Sequence, residues 1–277
     1  MSQSPLAAVV RQPVVAGRFY PADADALARE TAGYLAQADA PSERSTLLAM
    51  APHAGAVYSG SVAGRTLGAA RLAGTLLLLG PNHTGRGARL AVWPDGIWRI
   101  PGQDVPVDDA LAAALLAAAP QLVPDREAHL GEHSLEVLLP FLRQVRPDCR
   151  IVPVAVADPD VTVLAAAAAA MAGVLAGWPQ PVSVVVSSDM SHYVSHKTAT
   201  KLDSLALARA LDLDPEGLCR VVREAGISMC GVLPMALGLF LVLALGASSA
   251  RLAAYATSGE VSGDYDQVVG YAGVLVE

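Results

Sequence analysis

From Leu76 to Leu79 the chain reads Leu-Leu-Leu-Leu, entered from Thr75 and closed by Gly80-Pro81. A strand with one wet face alternates apolar and polar residues. This run does not, so both of its faces must be covered. Other strand-length stretches, at residues 46–51, 88–93, 150–156, 182–188, 250–257 and 267–275, are separated by helix-length segments at 23–37, 58–70, 107–118, 132–145, 160–176, 198–211 and 229–246. Such alternation predicts an α/β fold: a central, mostly parallel (mixed) sheet with helices on both faces. Asp23, after Pro21, supplies the N-cap signal of the first helix. Hydrophobic residues make up 53% and charged residues 16%, which suits many doubly buried elements better than the roughly 25% charged of an average domain. No repeat and no Gly/Ser linker divides the chain, so residues 1–277 are expected to form a single domain. The Ala-rich tracts near 110–119 and 165–172 are good helix formers.

Several classes of function are disfavoured. A net charge of −7 gives no basic surface to track phosphates, so nucleic acid is not an expected partner. Ile227 to Ala250 carries no charge and is long enough to cross a bilayer. Ser228, Pro234 and several glycines interrupt it, however, and no Lys/Arg cluster flanks it. A buried core helix is expected, not a membrane span. Cys149, Cys219 and Cys230 are odd in number and widely spaced, and no basic region precedes the short apolar run near the N-terminus. That pattern predicts a cytoplasmic protein without disulfides.

The polar residues that break the apolar background sit where strands end. TLLAMAPHAG places His53 after one strand, TLLLLGPNHTG places His83 after another, and VSVVVSSDMSHY places Asp189 and His192 after a third. In open α/β sheets ligands bind outside the carboxyl ends of strands, so these residues are expected to share one crevice. Strand-end placement alone does not say which of them touch a ligand. Cys230, in ISMCGVLP, reads by composition as a buried core cysteine, although a helix start would favour its thiolate. Glu132, His133 and Ser134 open GEHSLEVLLPFL. Glu132 and Glu136 would either orient metal ligands or stand as solvated acids at a helix start; His133 receives no role. His129 and His196 lack supporting context and are assigned to the surface. Ser258, Asp264 and Tyr265 read as a β connection that can also line a pocket mouth.

VAGRFYPAD, APHAGAVYSG, LLGPNHTG, EHSLEVLLPFL, VVSSDMSHY, CGVLP and YATSGEVSGDYDQVVGYAGV follow one another from residue 15 to residue 274. In these motifs the chain resembles the Memo family, whose bacterial and archaeal members are named AmmeMemoRadiSam system protein B. That family is related in fold to the class III extradiol dioxygenases, the LigB-like proteins. The resemblance implies that His53, His83 and Cys230 are metal ligands and that Asp189 and His192 are catalytic residues beside the metal, with His192 as acid/base. It implies one transition-metal ion, Fe(II) first, with copper or zinc also compatible with a thiolate. The implied function is metal-dependent redox activity on a small molecule or protein. Alternatives are a non-catalytic peptide- or metal-binding module in the same crevice and, third, a dioxygenase. AMMECR-type and radical-SAM proteins are the implied functional partners. Where the dioxygenases use a carboxylate, this chain has Cys230, which puts ring cleavage in doubt.

Overall fold

The computed structural model describes residues 9–277. Its strands are β1 (Val10–Arg11), β2 (Leu48–Ala51), β3 (Thr75–Pro81), β4 (Leu90–Val92), β5 (Ile97–Ile100), β6 (Gln103–Pro106), β7 (Val123–Pro124), β8 (Arg150–Val156), β9 (Val182–Ser187), β10 (His192–Val194), β11 (Ala250–Thr257) and β12 (Val268–Val276). Its helices are α1 (Ala24–Leu35), α2 (Ala56–Gly68), α3 (Asp109–Ala118), α4 (Glu127–Leu130), α5 (Leu139–Val145), α6 (Val161–Ala176), α7 (His196–Leu211), α8 (Pro215–Glu224), α9 (Val232–Ala244) and α10 (Gly259–Ser262).

The main sheet runs β12-β2-β9-β3-β8-β4-β7, with β11 and β10 both paired to β12. Its middle is parallel: β3 lies between β9 and β8, with Leu77 opposite both Val184 and Val152, and β2 pairs parallel to β9. Toward the edges, β12 joins β2 and β4 joins β8 antiparallel. The sheet is therefore mixed, with its parallel part confined to the centre. The cause on the β4 side is loop length. The link from β3 to β4 is too short for the helical crossover that a parallel return needs.

The Leu76–Leu79 run divides as its two-residue period requires. Leu77 and Leu79 join Leu48, Met50, Val152, Val154 and Val186 beneath α3, α6 and α9. Leu76 and Leu78 join Ala49, Ala51, Ile151 and Val185 beneath α2 and α5. Each such leucine removed from water is worth about 1.5–3 kcal/mol, which fixes the strand's depth in the sheet. The charge-free segment becomes α9, whose Gly238 lies against Leu48, Leu79 and Val186 in the middle of the sheet. No helix among the described residues is long and apolar enough to cross a membrane.

The expected helices differ mainly at their ends, and Asp23 caps α1 by accepting the Ala26 N–H at 2.8 Å. The expected helix over 132–145 is instead a loop, a 3-10 turn at Glu136–Leu138 and then α5. There the side chains of Glu132 and Glu136 are committed to other parts of the chain. A second, three-stranded sheet of β1, β5 and β6 and the helix α8 were not anticipated. In α8 the capping signal of Asp214, which accepts from Gly217 N, followed by Pro215 is present in the sequence.

Candidate metal centre

β2, β9 and β3 are neighbours and parallel, so their carboxyl ends open on the same edge. His53 leaves β2, Asp189 leaves β9 and His83 leaves β3, which brings three sequence-distant turns side by side. A fourth, from the loop before Glu136, contributes His133. One ring nitrogen from each of His53, His83 and His133 lies within 4.8 Å of the others. Ring centroids are 5.3 Å apart for His53 and His83, 5.6 Å for His53 and His133, and 5.1 Å for His83 and His133.

Two of these rings are held in a defined tautomer. Ser187 Oγ gives its only proton to the Ser134 carbonyl at 2.7 Å, so toward His53 Nδ1, 2.8 Å away, it can only accept. His53 is thereby fixed with its proton on Nδ1 and a bare lone pair on Nε2. Glu132 does the same for His83: Oε1 is 3.0 Å from His83 Nδ1, and the backbone N–H of His83 donates to Oε2. A carboxylate behind a ligating histidine fixes the ring and raises its basicity. Glu132 Oε1 also accepts from the N–H groups of His133 and Ser134, each at 2.9 Å.

The local charges favour a cation. Burial alone would raise the Glu132 carboxyl, but the hydrogen bond and charge of His83 and the backbone donors outweigh it and hold it at about 2. Burial pushes His53 down to about 4 and also lowers His133, so both rings are neutral electron-pair donors at neutral pH. The Glu132 hydrogen bond moves His83 the other way, upward.

Cys230 occupies the turn just before α9. Its Sγ is 3.5 Å from His53 Nε2 and accepts the Asp189 N–H at 3.2 Å. That turn presses on β9 closely enough that a Cβ on Gly231 would collide with Ser188. Burial, and then the Asp189 carboxylate, push the thiol up, so it is protonated without a cation nearby. Two ligands on one tetrahedral ion, with bonds of about 2.3 Å to sulfur and 2.0–2.1 Å to nitrogen, stand roughly 3.5 Å apart. The Cys230–His53 spacing meets that condition. The donor set fits a transition metal: His53, His83 and His133 lie together, and the Cys230 thiol lies against His53.

Asp189 does not cap a helix. Its Oδ1 accepts the N–H groups of His53 at 2.8 Å and Ala54 at 3.3 Å, and so holds the His53 turn against β9. His192 begins β10; its Nδ1–H donates to the Ser228 carbonyl at 3.0 Å and its backbone N–H to Ser228 Oγ at 2.8 Å. It is thus tied to the turn that carries Cys230, with Nε2 left to accept a proton.

Glu136 is fully buried rather than solvated. It pairs with Arg11 at 2.6 Å, accepts from the backbone of Val14 and Val15, and takes the Tyr20 hydroxyl at 2.6 Å. His129, expected at the surface, is 0% exposed, wedged between Trp93 and Trp98 with Nε2 on the Ala91 carbonyl at 3.0 Å. Its place in the sequence gave no sign of the two tryptophans that enclose it. His196 is partly buried, its Nδ1 3.0 Å from Thr257 Oγ1. His133 and Ser187 are the candidate-site residues that sequence reasoning left without a role. The adjacency of Glu132 and His133 was the one available signal for the former.

The fold and site define a mixed α/β protein with a histidine-rich crevice, able to hold a metal ion, at the carboxyl ends of its central strands. Residues 11–275 match the model of the Memo-like protein family. Relatives described as MEMO1 family proteins include one from Methanopyrus kandleri, 40% identical over 96% of this chain and 98% of its own length. Another, from Aquifex aeolicus, is 36% identical over 96% of this chain and 98% of its own length. The chain belongs to the Memo family. The crystal structure of uncharacterized protein JW3007 from Escherichia coli K12 covers 81% of this chain and 98% of its own, with a TM-score of 0.53 at 14% identity, a likeness of fold alone.

Proposed function

We propose that the protein is a non-haem metal-dependent redox protein that holds one iron ion on His53 and His83, with the third ligand drawn from His133 or Cys230. The observation that carries this reading is the convergence of His53, His83 and His133, with their ligand nitrogens within 4.8 Å of one another. The fixed Nδ1 protons on His53 and His83 support it, because they leave both Nε2 lone pairs facing the crevice. An iron ion bound there supplies one-electron chemistry and open coordination positions for a small molecule. The chain's own residues do the rest. Ser187 and Glu132 orient the rings, Asp189 holds the His53 turn, and His192 Nε2 accepts or returns a proton.

Protein purified without oxygen is expected to contain one equivalent of iron, lost in His53→Ala. Comparing His133→Ala with Cys230→Ser identifies the third ligand, since only the true ligand's loss empties the site. Oxygen consumption by the iron-loaded wild type with a reductant is the activity readout. A full zinc or copper complement in place of iron overturns the choice of metal. Iron that is retained yet never supports oxygen consumption overturns the redox reading in favour of a binding module.

A further inference from the structure

A cavity of about 290 Å³ is lined by Tyr58, Tyr193 and Tyr271, with Ser258 and Asp264. Two of its lining residues sit on segments next to the metal centre. Tyr58 is on the first turn of α2, the helix that His53 leads into, and Tyr193 directly follows His192 in β10. Neighbours in a regular strand point to opposite faces. Here the register of β10 against β12 shifts between His192 and Val194, leaving Tyr193 in a bulge with φ of +56°. The result is that the His192 and Tyr193 rings lie with centroids 5.9 Å apart. A bulky residue in the left-handed region is strained, and bulges beside active sites serve to re-aim a side chain. The cost goes to keeping a tyrosine 74% exposed at the pocket mouth.

The floor and the charge are also specific. Tyr271 is 2% exposed, and burial together with the nearby Asp189 keeps its hydroxyl protonated. Asp264 Oδ1 takes the Asp266 and Gln267 N–H groups in a local turn, and Oδ2 accepts no hydrogen bond from the described residues. No Lys or Arg lines the cavity, and the loop beside it adds Glu260 and Asp266. A phosphate or carboxylate would meet only negative charge there. Aromatic faces with one free carboxylate are the environment that holds an ammonium ion.

We propose that this pocket binds a small organic cation, a protonated or quaternary amine, beside its tyrosine rings and Asp264. The size of the cavity suits a small molecule and not a folded partner.

Calorimetric titration of the metal-free full-length chain with benzyltrimethylammonium, benzyl alcohol and benzoate tests the pocket. The cation is expected to bind about tenfold or more tightly than either comparator. Tyr193→Ala and Asp264→Asn should each weaken it about fivefold, with Tyr193→Phe close to wild type. Binding of the alcohol or benzoate equal to the cation, no binding of the cation, or no change in both variants overturns the proposal. His53→Ala separates the two readings: loss of iron with cation binding retained supports the pocket as an independent site. A wild type that takes up iron but not the cation overturns the pocket alone.

Discussion

At the scale of single residues, the centre depends on where protons are held. Glu132 is 3% exposed and receives donors from His83, His133 and Ser134, so one carboxylate organises two of the candidate ligands. Glu132→Gln keeps the shape but replaces one acceptor oxygen with an amide that donates. The expected result is a fall in metal affinity of about 10–100-fold, the usual cost of losing such a partner, with folding intact. Competition with a chromophoric chelator measures it; affinity within twofold of wild type would remove Glu132 from the centre. His83 and His53 were legible in the sequence because each follows a strand whose apolar run announces it. His133 was not, because its loop lies at no strand end and reaches the crevice only when its segment is pinned by Glu132 and Glu136.

At the scale of elements, that pinning has an identifiable anchor. Arg11 crosses from β1 to donate to the carbonyls of His129 and Glu132 and to the Glu136 carboxylate, while its guanidinium lies 4.2 Å from the Trp98 ring centre. Both partners of the ion pair are almost fully buried, at 1% and 0% exposure. Removing one charge from such a pair strands the other, at a cost of about 3–5 kcal/mol. Arg11→Met is therefore expected to destabilise the protein by that amount in urea denaturation and to weaken metal binding through the loosened loop. A loss below about 1 kcal/mol would mean that water reaches the site and the pair is not buried in solution. Periodicity placed most of the main strands and helices; it missed β1 and β5, whose pairing joins the chain's beginning to its middle. Strands of two to four residues carry little pattern of their own, and their existence follows from what they pack against.

At the scale of the whole molecule, folding traps imidazoles in a neutral state. His53 and His129 are both pushed by burial to about 4 in the folded chain, against 6.5 for the free side chain. Between these values the unfolded chain binds more protons than the folded one, so stability is complete above pH 6.5 and falls as pH drops toward 4. Each histidine contributes at most about 3 kcal/mol to that loss. Metal-free protein is expected to show a denaturation midpoint that declines through this window, and His129→Gln should remove the His129 share of the slope. A midpoint flat from pH 7 to pH 4.5 in the wild type would contradict the burial of both rings.

The Leu76–Leu79 run and its companion strands settled by themselves that this chain forms a doubly covered sheet, because no other arrangement hides apolar side chains on both faces. The strand-end positions of His53, His83 and Asp189 followed from the same pattern. Tertiary structure alone decided which strands became neighbours, and so that β9 lies between β2 and β3 and the three turns meet. It alone placed Cys230 3.5 Å from His53, brought His133 into the group and buried His129 between two tryptophans. The reason is physical: periodicity along a chain encodes which face an element buries, but the partner it meets there is set by long-range packing.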